Sequence, residues 1–477
     1  MTVATYWVGI DLSNDNDYLD AGEVVTADVL ARTGIRTFRG ADFTRPLLVP
    51  RAGEAAYELR NDDGTYAIGT ISQGDPTKIT ASDGTEYTLF EGEIDRVEQY
   101  PEKERQSVGV IAHGVLAQLK GKRVSTALYQ DITTNTAIGH LLDAAGFPAA
   151  DRALDTGRTT MDWWWLDEED AFEALLTLLH TEGPGAALYE NGKVITFKHR
   201  HHRLENTAST AVQTTFRGTG TEPLHSSPFV YDDGLRNVVN VCKVTVKQRA
   251  ASALSAIWTL GEQVQLGASE VRQLIVRTSD GDPFTAAVCT AGTDYTVIAG
   301  SVSSAVLSRT SGGSATLTIT AGSSGATIIG LQVRAQPVEV TFTTTIQDTI
   351  AATASQTQYG VQTFALPVRA EIGNSFAQAM CNWIVDWFKN GRPTVKITVN
   401  NGNATRLSAA LARQISDRIR VIEANTTLDD QFWIDTVEHR ATGRFHETAF
   451  GAEVASDTGY FIIGTSAIGG PDILAWV

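Results

Sequence analysis

Residues 376–385 read FAQAMCNWIV, and they are followed by RPTVKITV at 392–399, DRIRV at 417–421 and FWIDTVEH at 432–439. Apolar residues in the first segment recur at helical spacing, which predicts a long helix from about Ser375 to Asn390. The apolar face of this helix consists of Phe376, Met380, Trp383, Ile384, Trp387 and Phe388. The three later segments have the composition of strands. One helix followed by several strands is typical of an α+β region.

The region before this helix is rich in threonine, serine, alanine and glycine, over residues 285–340. Ala315, Leu317 and Ile319 alternate with threonines, which predicts a half-buried strand. We therefore predict an inserted β module. The alternative is a flexible low-complexity linker, which the regular alternation and the nearby apolar run IIGLQV disfavour.

A small helix-helix-hairpin module is predicted further upstream. Its first helix covers Thr134 to Gly146, and its second runs from Asp167 to about Glu182, with Asp167 as the N-cap and residues 168–170 in the first turn. The strands AALYENG and KVITFKHR follow, and they are joined by an Asn191-Gly192 turn, a strong hairpin signal. The module is therefore α+β.

The first 120 residues predict many short strands separated by turns such as NDDG at 61–64 and Asp83-Gly84. Such spacing is typical of a β-barrel or a β-sandwich. The 477-residue chain is long enough for about three domains. The residues alone therefore predict a mainly β fold with an α+β part.

Charge and composition exclude several classes of protein. The net charge is −17, which argues against a protein that holds nucleic acid through a basic face. The three cysteines, Cys242, Cys289 and Cys381, are far apart in sequence and predict neither a disulfide framework nor a thiolate zinc site. The sequence predicts no secretory signal and no membrane span, and hence a soluble product made inside the cell.

Two polar runs could carry chemistry. The tract KHRHHR at 198–203 contains His199 and His201, which would share one face of a strand and could bind a metal with Glu205. We favour a solvated basic strand end instead. The acidic run DEED at 167–170 could supply paired carboxylates for glycoside hydrolysis, but acids at the start of a helix are the simpler interpretation.

The triplet Trp163-Trp164-Trp165 could form a platform on which sugars stack. Because successive strand residues point to opposite faces, we favour core or interface positions for these rings. The acidic pairs at 62–63 and 429–430 are interpreted as surface turns rather than cation sites. No GxSxG, HExxH or P-loop motif is present. We therefore predict no catalytic, cofactor-binding or metal-ligating residues, no cofactor, and no enzymatic activity.

The segments quoted first, together with HETAFG at 446–451, resemble the minor tail proteins of long-tailed bacteriophages and prophages, of the tail-tip hub or baseplate hub type. The block from TNTAIGHLLDAAGF to NGKVITF resembles a domain of these hubs. The stretch SGGSATLTITAGSSGATIIGLQVRAQPV resembles the β insertion common in phage tail proteins. The resemblance touches most of the chain in scattered blocks.

This resemblance implies two tube-like β-barrel domains, the helix-helix-hairpin module and an inserted β-sandwich-like module. The regions are 1–122 for the N-terminal barrel, 123–205 for the α+β module, 206–265 for a linking β segment, 266–345 for the insertion, 346–455 for the C-terminal barrel with one long helix, and 456–477 for the tail.

The resemblance also implies a structural role in the virion, at the tail tip. Three copies would form a homotrimeric ring that joins the tail tube or distal tail protein to a tip or fibre protein, with the tape measure protein as a further possible partner. DNA would pass through the lumen without sequence-specific binding. The acidic net charge suits an anionic conduit. The alternatives are a hexameric distal tail protein, or a tail-tip cell-wall hydrolase or carbohydrate-binding protein.

Overall fold

The computed structural model describes residues 2–15, 17–42, 46–102 and 106–455, and the backbone of 460–461 and 473–474. Strands predominate and the helices are few, so the predicted mainly β fold with an α+β part is confirmed. Nearly all of the predicted C-terminal tail, 456–477, lies outside the described residues.

The N-terminal region consists of strands, as its short apolar runs and turn signals predict. These strands are β1 (Thr5–Ile10), β2 (Ile35–Asp42), β3 (Val49–Arg60), β4 (Pro76–Ser82), β5 (Glu86–Pro101) and β6 (Gln106–His113). Buried and less buried residues alternate along β3 and β6, so one face of each strand is directed into the core.

The helix-helix-hairpin module forms where the sequence predicts it. Its elements are β7 (Arg123–Val124), β8 (Tyr129–Thr133), α1 (Thr134–Ala144), β9 (Arg152–Leu154), β10 (Thr160–Trp164), β11 (Glu169–Asp170), α2 (Ala171–Glu182), β12 (Ala187–Asn191) and β13 (Val194–Lys198). Strands β12 and β13 pair as the predicted hairpin.

The predicted start of α2 is wrong by three residues. Asp170, not Asp167, is the N-cap, and its carboxylate accepts hydrogen bonds from the backbone N–H groups of Phe172 and Glu173. The cause is tertiary, because β11 pairs with β7 and thereby holds Glu169 and Asp170 in an extended conformation.

The middle of the chain begins with two helical turns and continues as strands. The turns are α3 (His202–Glu205) and α4 (Thr207–Thr210), and the strands are β14 (Val212–Arg217), β15 (Ser226–Asp232), β16 (Val241–Ala251), β17 (Ser255–Leu260), β18 (Val264–Leu266), β19 (Val271–Arg277), β20 (Phe284–Val288), β21 (Thr296–Arg309), β22 (Ser314–Ile329) and β23 (Leu331–Gln347).

The threonine-rich region is ordered β-structure rather than a linker. Ala315, Leu317 and Ile319 on β22 are buried, and the threonines between them are only partly buried, as the alternation predicts. These residues belong to a separate apolar core that also contains Phe284 and Val333. The strands form a five-stranded sheet around β23 and a four-stranded sheet around β22.

The C-terminal region contains the long predicted helix and two helices, Thr353–Tyr359 and Ala404–Ala412, that the sequence analysis missed. Its elements are α5 (Thr353–Tyr359), β24 (Thr363–Ala365), α6 (Asn374–Phe388), β25 (Thr394–Asn400), α7 (Ala404–Ala412), β26 (Arg418–Glu423), β27 (Leu428–Thr442), β28 (Phe445–Val454), β29 (Tyr460–Phe461) and β30 (Ile473–Leu474). The buried side of α6 includes Cys381 and Val385, while Trp383 and Trp387 are only partly buried at its margin.

One sheet of twelve strands joins the two ends of the chain. Its order is β1-β4-β5-β6-β3-β2-β27-β28-β25-β15, with β26 on β27 and β14 on β26. The N-terminal and C-terminal strands meet where β2 pairs with β27, and we call this pairing the seam. Within the described residues the sheets are open, and none closes into a barrel in the single chain.

Two glycines permit the close approach of strands at the seam. Gly34 and Gly40 have positive φ angles of 68° and 137°. A Cβ atom at Gly34 would overlap the backbone carbonyl of Ala441, and one at Gly40 would overlap that of Asp435. Glycine is therefore required at both positions by conformation and by space.

The sheet and the helix-helix-hairpin module pack around separate apolar clusters. The largest cluster combines α1, α2 and α6 with residues of β16, including Val244 and Val246. A second lies under the N-terminal strands, and a third lies under β25 to β28. Of the helices that the structure describes, none is long and apolar enough to cross a membrane.

Candidate functional site

The basic tract at 198–203 is buried, so its interpretation as a solvated strand end is wrong. Strand β13 ends at Lys198, and the chain then turns into α3, so His199 and His201 do not share a strand face. The His202 Nε2 and the Ser416 hydroxyl form a hydrogen bond of 2.9 Å. Burial lowers the pKa of His202 well below its ordinary value. The tract therefore joins the module to the C-terminal strands.

Arg203 is the centre of this contact. Its guanidinium is buried and donates to the carboxylates of Asp435 on β27 and Glu453 on β28. It also lies over the Trp433 ring, 5.1 Å from the ring centroid. The carboxylates raise the pKa of Arg203, although burial alone would lower it. We call Arg203, Asp435 and Glu453 the arginine junction.

A second buried pair extends the arginine junction into the module. The Glu182 carboxylate, at the end of α2, accepts hydrogen bonds from the backbone N–H groups of Arg158 and Thr159 and from the Thr134 hydroxyl. The Arg200 guanidinium lies 3.7 Å from the same carboxylate. Buried charges of this kind are stable only when they are paired and hydrogen-bonded, so the module is held in one orientation.

Glu190 fastens the hairpin to the N-terminal strands. Its two carboxylate oxygens accept hydrogen bonds from the backbone N–H groups of Gly53 (2.6 Å) and Leu116 (2.5 Å). Burial raises the pKa of Glu190 to about 7, although both hydrogen bonds lower it. A side chain at Gly53 or Gly114 would collide with this carboxylate. The module thus contacts both halves of the sheet.

The tryptophan triplet belongs to the interior, as predicted. Trp163, Trp164 and Trp165 are all buried. The guanidinium groups of Arg249 and Arg369 lie 5.1 and 5.3 Å from the Trp165 ring centroid. The triplet therefore offers no exposed ring for sugar stacking and instead connects the module to β16.

The acidic runs have structural partners. In DEED at 167–170, Asp170 caps α2, and Asp167 lies 3.7 Å from the Arg277 guanidinium. Asp429 forms a bidentate pair with Arg420, at 2.6 and 2.7 Å, on neighbouring strands rather than in a turn. Within the described part of the chain, no three His, Cys, Asp or Glu side chains lie close enough together to hold a metal ion.

Two surfaces with exposed apolar side chains in the described part of the chain suit contacts with partners. The first is β15, an end strand of the large sheet that pairs with β25 on one side and exposes Val230 and Tyr231. The second is the outer face of the four-stranded sheet, where Val271 and Ile275 of β19 stand opposite threonines of β22. A sheet end with unpaired backbone groups is a template for pairing with another chain.

Solved tail proteins have a similar structure over nearly the whole chain. The tail protein from Neisseria meningitidis MC58 is 11% identical, with a TM-score of 0.51, and the match covers 95% of this chain and 97% of that chain. The 43 kDa tail protein of prophage MuSo2 from Shewanella oneidensis is 9% identical, with a TM-score of 0.51, over 94% of this chain and 98% of that chain. No protein-family model and no curated protein matches the sequence.

The chain has the fold of phage tail proteins. This likeness confirms, at the level of the fold, the resemblance that the sequence indicates. Sequence reasoning missed the arginine junction, because Arg203 lies 232 residues from Asp435 and 250 residues from Glu453 in the sequence. The basic residues of the tract at 198–203 carry no signal of burial, because a run of such residues is typical of an exposed segment.

Proposed function

We propose that this chain is a structural, non-catalytic protein of a phage-type tail, and that copies of it form a hub ring at the tail tip. The observation that carries the proposal is the match to two tail proteins over nearly the full length of both chains. The regions 1–122, 123–205, 206–265, 266–345, 346–455 and 456–477 are part of this proposal as its domains.

The open ends of the large sheet support assembly into a ring. The large sheet ends at β1, at β15 and, on its branch through β26, at β14, and an open end can continue into the sheet of the next copy, head to tail. Residues 23–25 cover part of β1 through backbone hydrogen bonds to Val8 and Ile10. Strand β15 is the more open end. Heterologous contacts of this kind close into rings when the rotation fits.

The buried polar contacts support a rigid subunit. The arginine junction and the Glu190 contact fix the helix-helix-hairpin module against both halves of the sheet. A connector between a tube and a tip must transmit force without changing shape, and a fixed module meets this need. We propose three copies per ring, with the tail tube or a distal tail protein on one side, a tip or fibre protein on the other, and the tape measure protein as a further partner.

The net charge of −17 supports a DNA conduit. An anionic lumen repels DNA phosphates and keeps the DNA from binding as it passes. A solved ring with arginine and lysine side chains lining its lumen would refute this electrostatic part of the proposal.

Cryo-electron microscopy of the purified full-length chain at high concentration tests the assembly. Hollow rings with threefold symmetry are the expected result. Rings with sixfold symmetry would replace the hub assignment with a distal tail protein. A monomer with a deep closed cleft, together with binding of bacterial glycans, would favour the hydrolase or carbohydrate-binding alternative.

A pair of matched variants tests the contact through β15. Val230→Lys places a charge on the open strand, where Val230 is 51% exposed, and should abolish rings because charges on edge strands block pairing. Val361→Lys is the control, since Val361 is 66% exposed but lies between α5 and β24, outside the large sheet. Rings that survive Val230→Lys, or that are lost equally in the control, would refute pairing through β15.

A further inference from the structure

The fold brings two of the three cysteines together, although they are 139 positions apart in sequence. Cys242 lies at the start of β16 and Cys381 lies on α6, which packs against β16. Both side chains are fully buried and belong to the same apolar cluster. Cys289, in contrast, directly follows β20, packs against the separate core of the threonine-rich sheets and is only partly buried.

Hydrogen bonds on both sides of the pair fix its geometry. The Asp348 carboxylate accepts the Cys242 backbone N–H at 2.8 Å, and the Asp348 N–H donates to the Cys242 carbonyl at 3.0 Å. The next residue, Thr349, donates its N–H to the Asn382 amide oxygen at 2.8 Å. Because Asn382 directly follows Cys381, this short chain of contacts holds the two cysteines against each other.

The two thiols are in contact in the reduced protein. A hydrogen bond with the Cys381 thiol raises the pKa of Cys242, and burial and the nearby Asp348 carboxylate raise it further. Cys242 is therefore protonated and unreactive while α6 stays packed, since the thiolate is the nucleophile in thiol chemistry.

We propose that Cys242 and Cys381 are an oxidisable dithiol that closes to an intramolecular disulfide and locks α6 onto β16. Strand β16 pairs with β23, and these two strands carry the chain into and out of the threonine-rich sheets. The disulfide would therefore clamp the base of the insertion to the central core. Thiols stay reduced in the cytosol and oxidise outside the cell, so the lock would close after release, when local opening of α6 exposes the two thiols to the oxidant.

The reaction balances with a small disulfide such as oxidised glutathione as the oxidant. The thiolate of one cysteine attacks a sulfur of the oxidant, forms a mixed disulfide and releases one glutathione thiolate. The thiolate of the second cysteine then attacks the protein sulfur and releases the second glutathione thiolate. The two protons of the protein thiols end on the two glutathione molecules, and the protein loses two electrons.

Refolding of the full-length chain tests the proposal without relying on access to the buried thiols. The denatured, reduced protein is refolded in a buffer of reduced and oxidised glutathione. We expect the number of free thiols to fall from three to one, the mass to fall by about 2 Da, and a proteolytic digest to contain one peptide pair linked through Cys242 and Cys381. The urea midpoint should be higher for the oxidised than for the reduced protein.

Cysteine variants distinguish a disulfide between Cys242 and Cys381 from any other disulfide. Cys289→Ser should give the same linked peptides, and Cys381→Ser should give none and should show no difference between oxidising and reducing conditions. Three free thiols after refolding, stable glutathione adducts on Cys242 and Cys381, or a link that includes Cys289 would each overturn the proposal. The peptide analysis of the wild-type protein decides this even if Cys381→Ser fails to fold.

Discussion

Replacing Arg203 with methionine should destabilise the protein strongly. Its guanidinium donates to two carboxylates, of which Asp435 is completely buried and Glu453 is 15% exposed. In the variant Glu453 keeps an ion pair with Arg392, whose guanidinium lies 3.6 Å from it, whereas Asp435 loses its cationic partner. Removing one partner of a buried ion pair costs about 3–5 kcal/mol, since a charge is left in the interior without its partner. We expect a loss of that size near neutral pH.

The loss should depend on pH. Burial raises the pKa of Asp435 above its ordinary value. A carboxyl with a raised pKa binds its proton more tightly in the folded state, so stability falls as the pH rises from the unfolded pKa of 3.8 through the folded pKa. Without Arg203 the folded pKa rises further. The cost of Arg203→Met should therefore be larger at about pH 8 than at about pH 5.5.

Urea unfolding followed by tryptophan fluorescence measures both quantities. Arg420→Met is the matched control, because Arg420 makes an equally close pair with Asp429 but both side chains are exposed, and such pairs contribute little. Adding Asp435→Asn to Arg203→Met should restore part of the lost stability by removing the unpaired charge. Equal costs at both pH values, or a cost for Arg203→Met no larger than for Arg420→Met, would refute the reasoning.

Three further changes test other contacts by the same unfolding assay. The raised pKa of Glu190 should contribute a fall of about 3 kcal/mol to the wild-type stability between pH 4.5 and 7, and Glu190→Gln should remove this contribution; a variant with the pH profile of the wild type would contradict it. Trp383→Ala should lower the free energy of unfolding by about 2 kcal/mol, less than for a fully buried ring, because Trp383 is only partly buried. Its ring stacks on that of Trp387, with the ring centroids 4.5 Å apart. An unchanged urea midpoint would mean that this stack adds no stability. Gly34→Ala should cost more than Gly64→Ala, since both have positive φ but only Gly34 faces another strand closely; equal costs would remove the steric part of the argument.

Local patterns predicted the local elements. The period of apolar residues placed α1 and α6 within one or two residues of their observed ends, and the Asn191-Gly192 turn identified the β12–β13 hairpin. Helix α7 was missed although it carries comparable signals. Asn403 caps it by accepting the Arg406 N–H, and Leu407 and Leu411 form its buried side.

The remaining features depend on contacts between residues that are far apart in the sequence. Nothing local to Arg203 marks it as buried, because its partners lie on β27 and β28. Likewise, the extended conformation of Glu169 and Asp170 follows from pairing with β7, which a helix-start pattern does not contain. The joining of two β regions into one sheet also depends on pairing between distant strands. Sequence periodicity identifies a strand but not its neighbour.

The seam can form only late in the synthesis of the chain. Strand β2 emerges early from the ribosome, but its partner residues on β27 are made about 400 residues later. Until then β2 presents an open edge in the nascent chain, next to β3, and open edges recruit strands of other chains. Any chain that ends before β27 keeps that edge permanently. Truncated products of this gene should therefore aggregate rather than persist as smaller folded proteins.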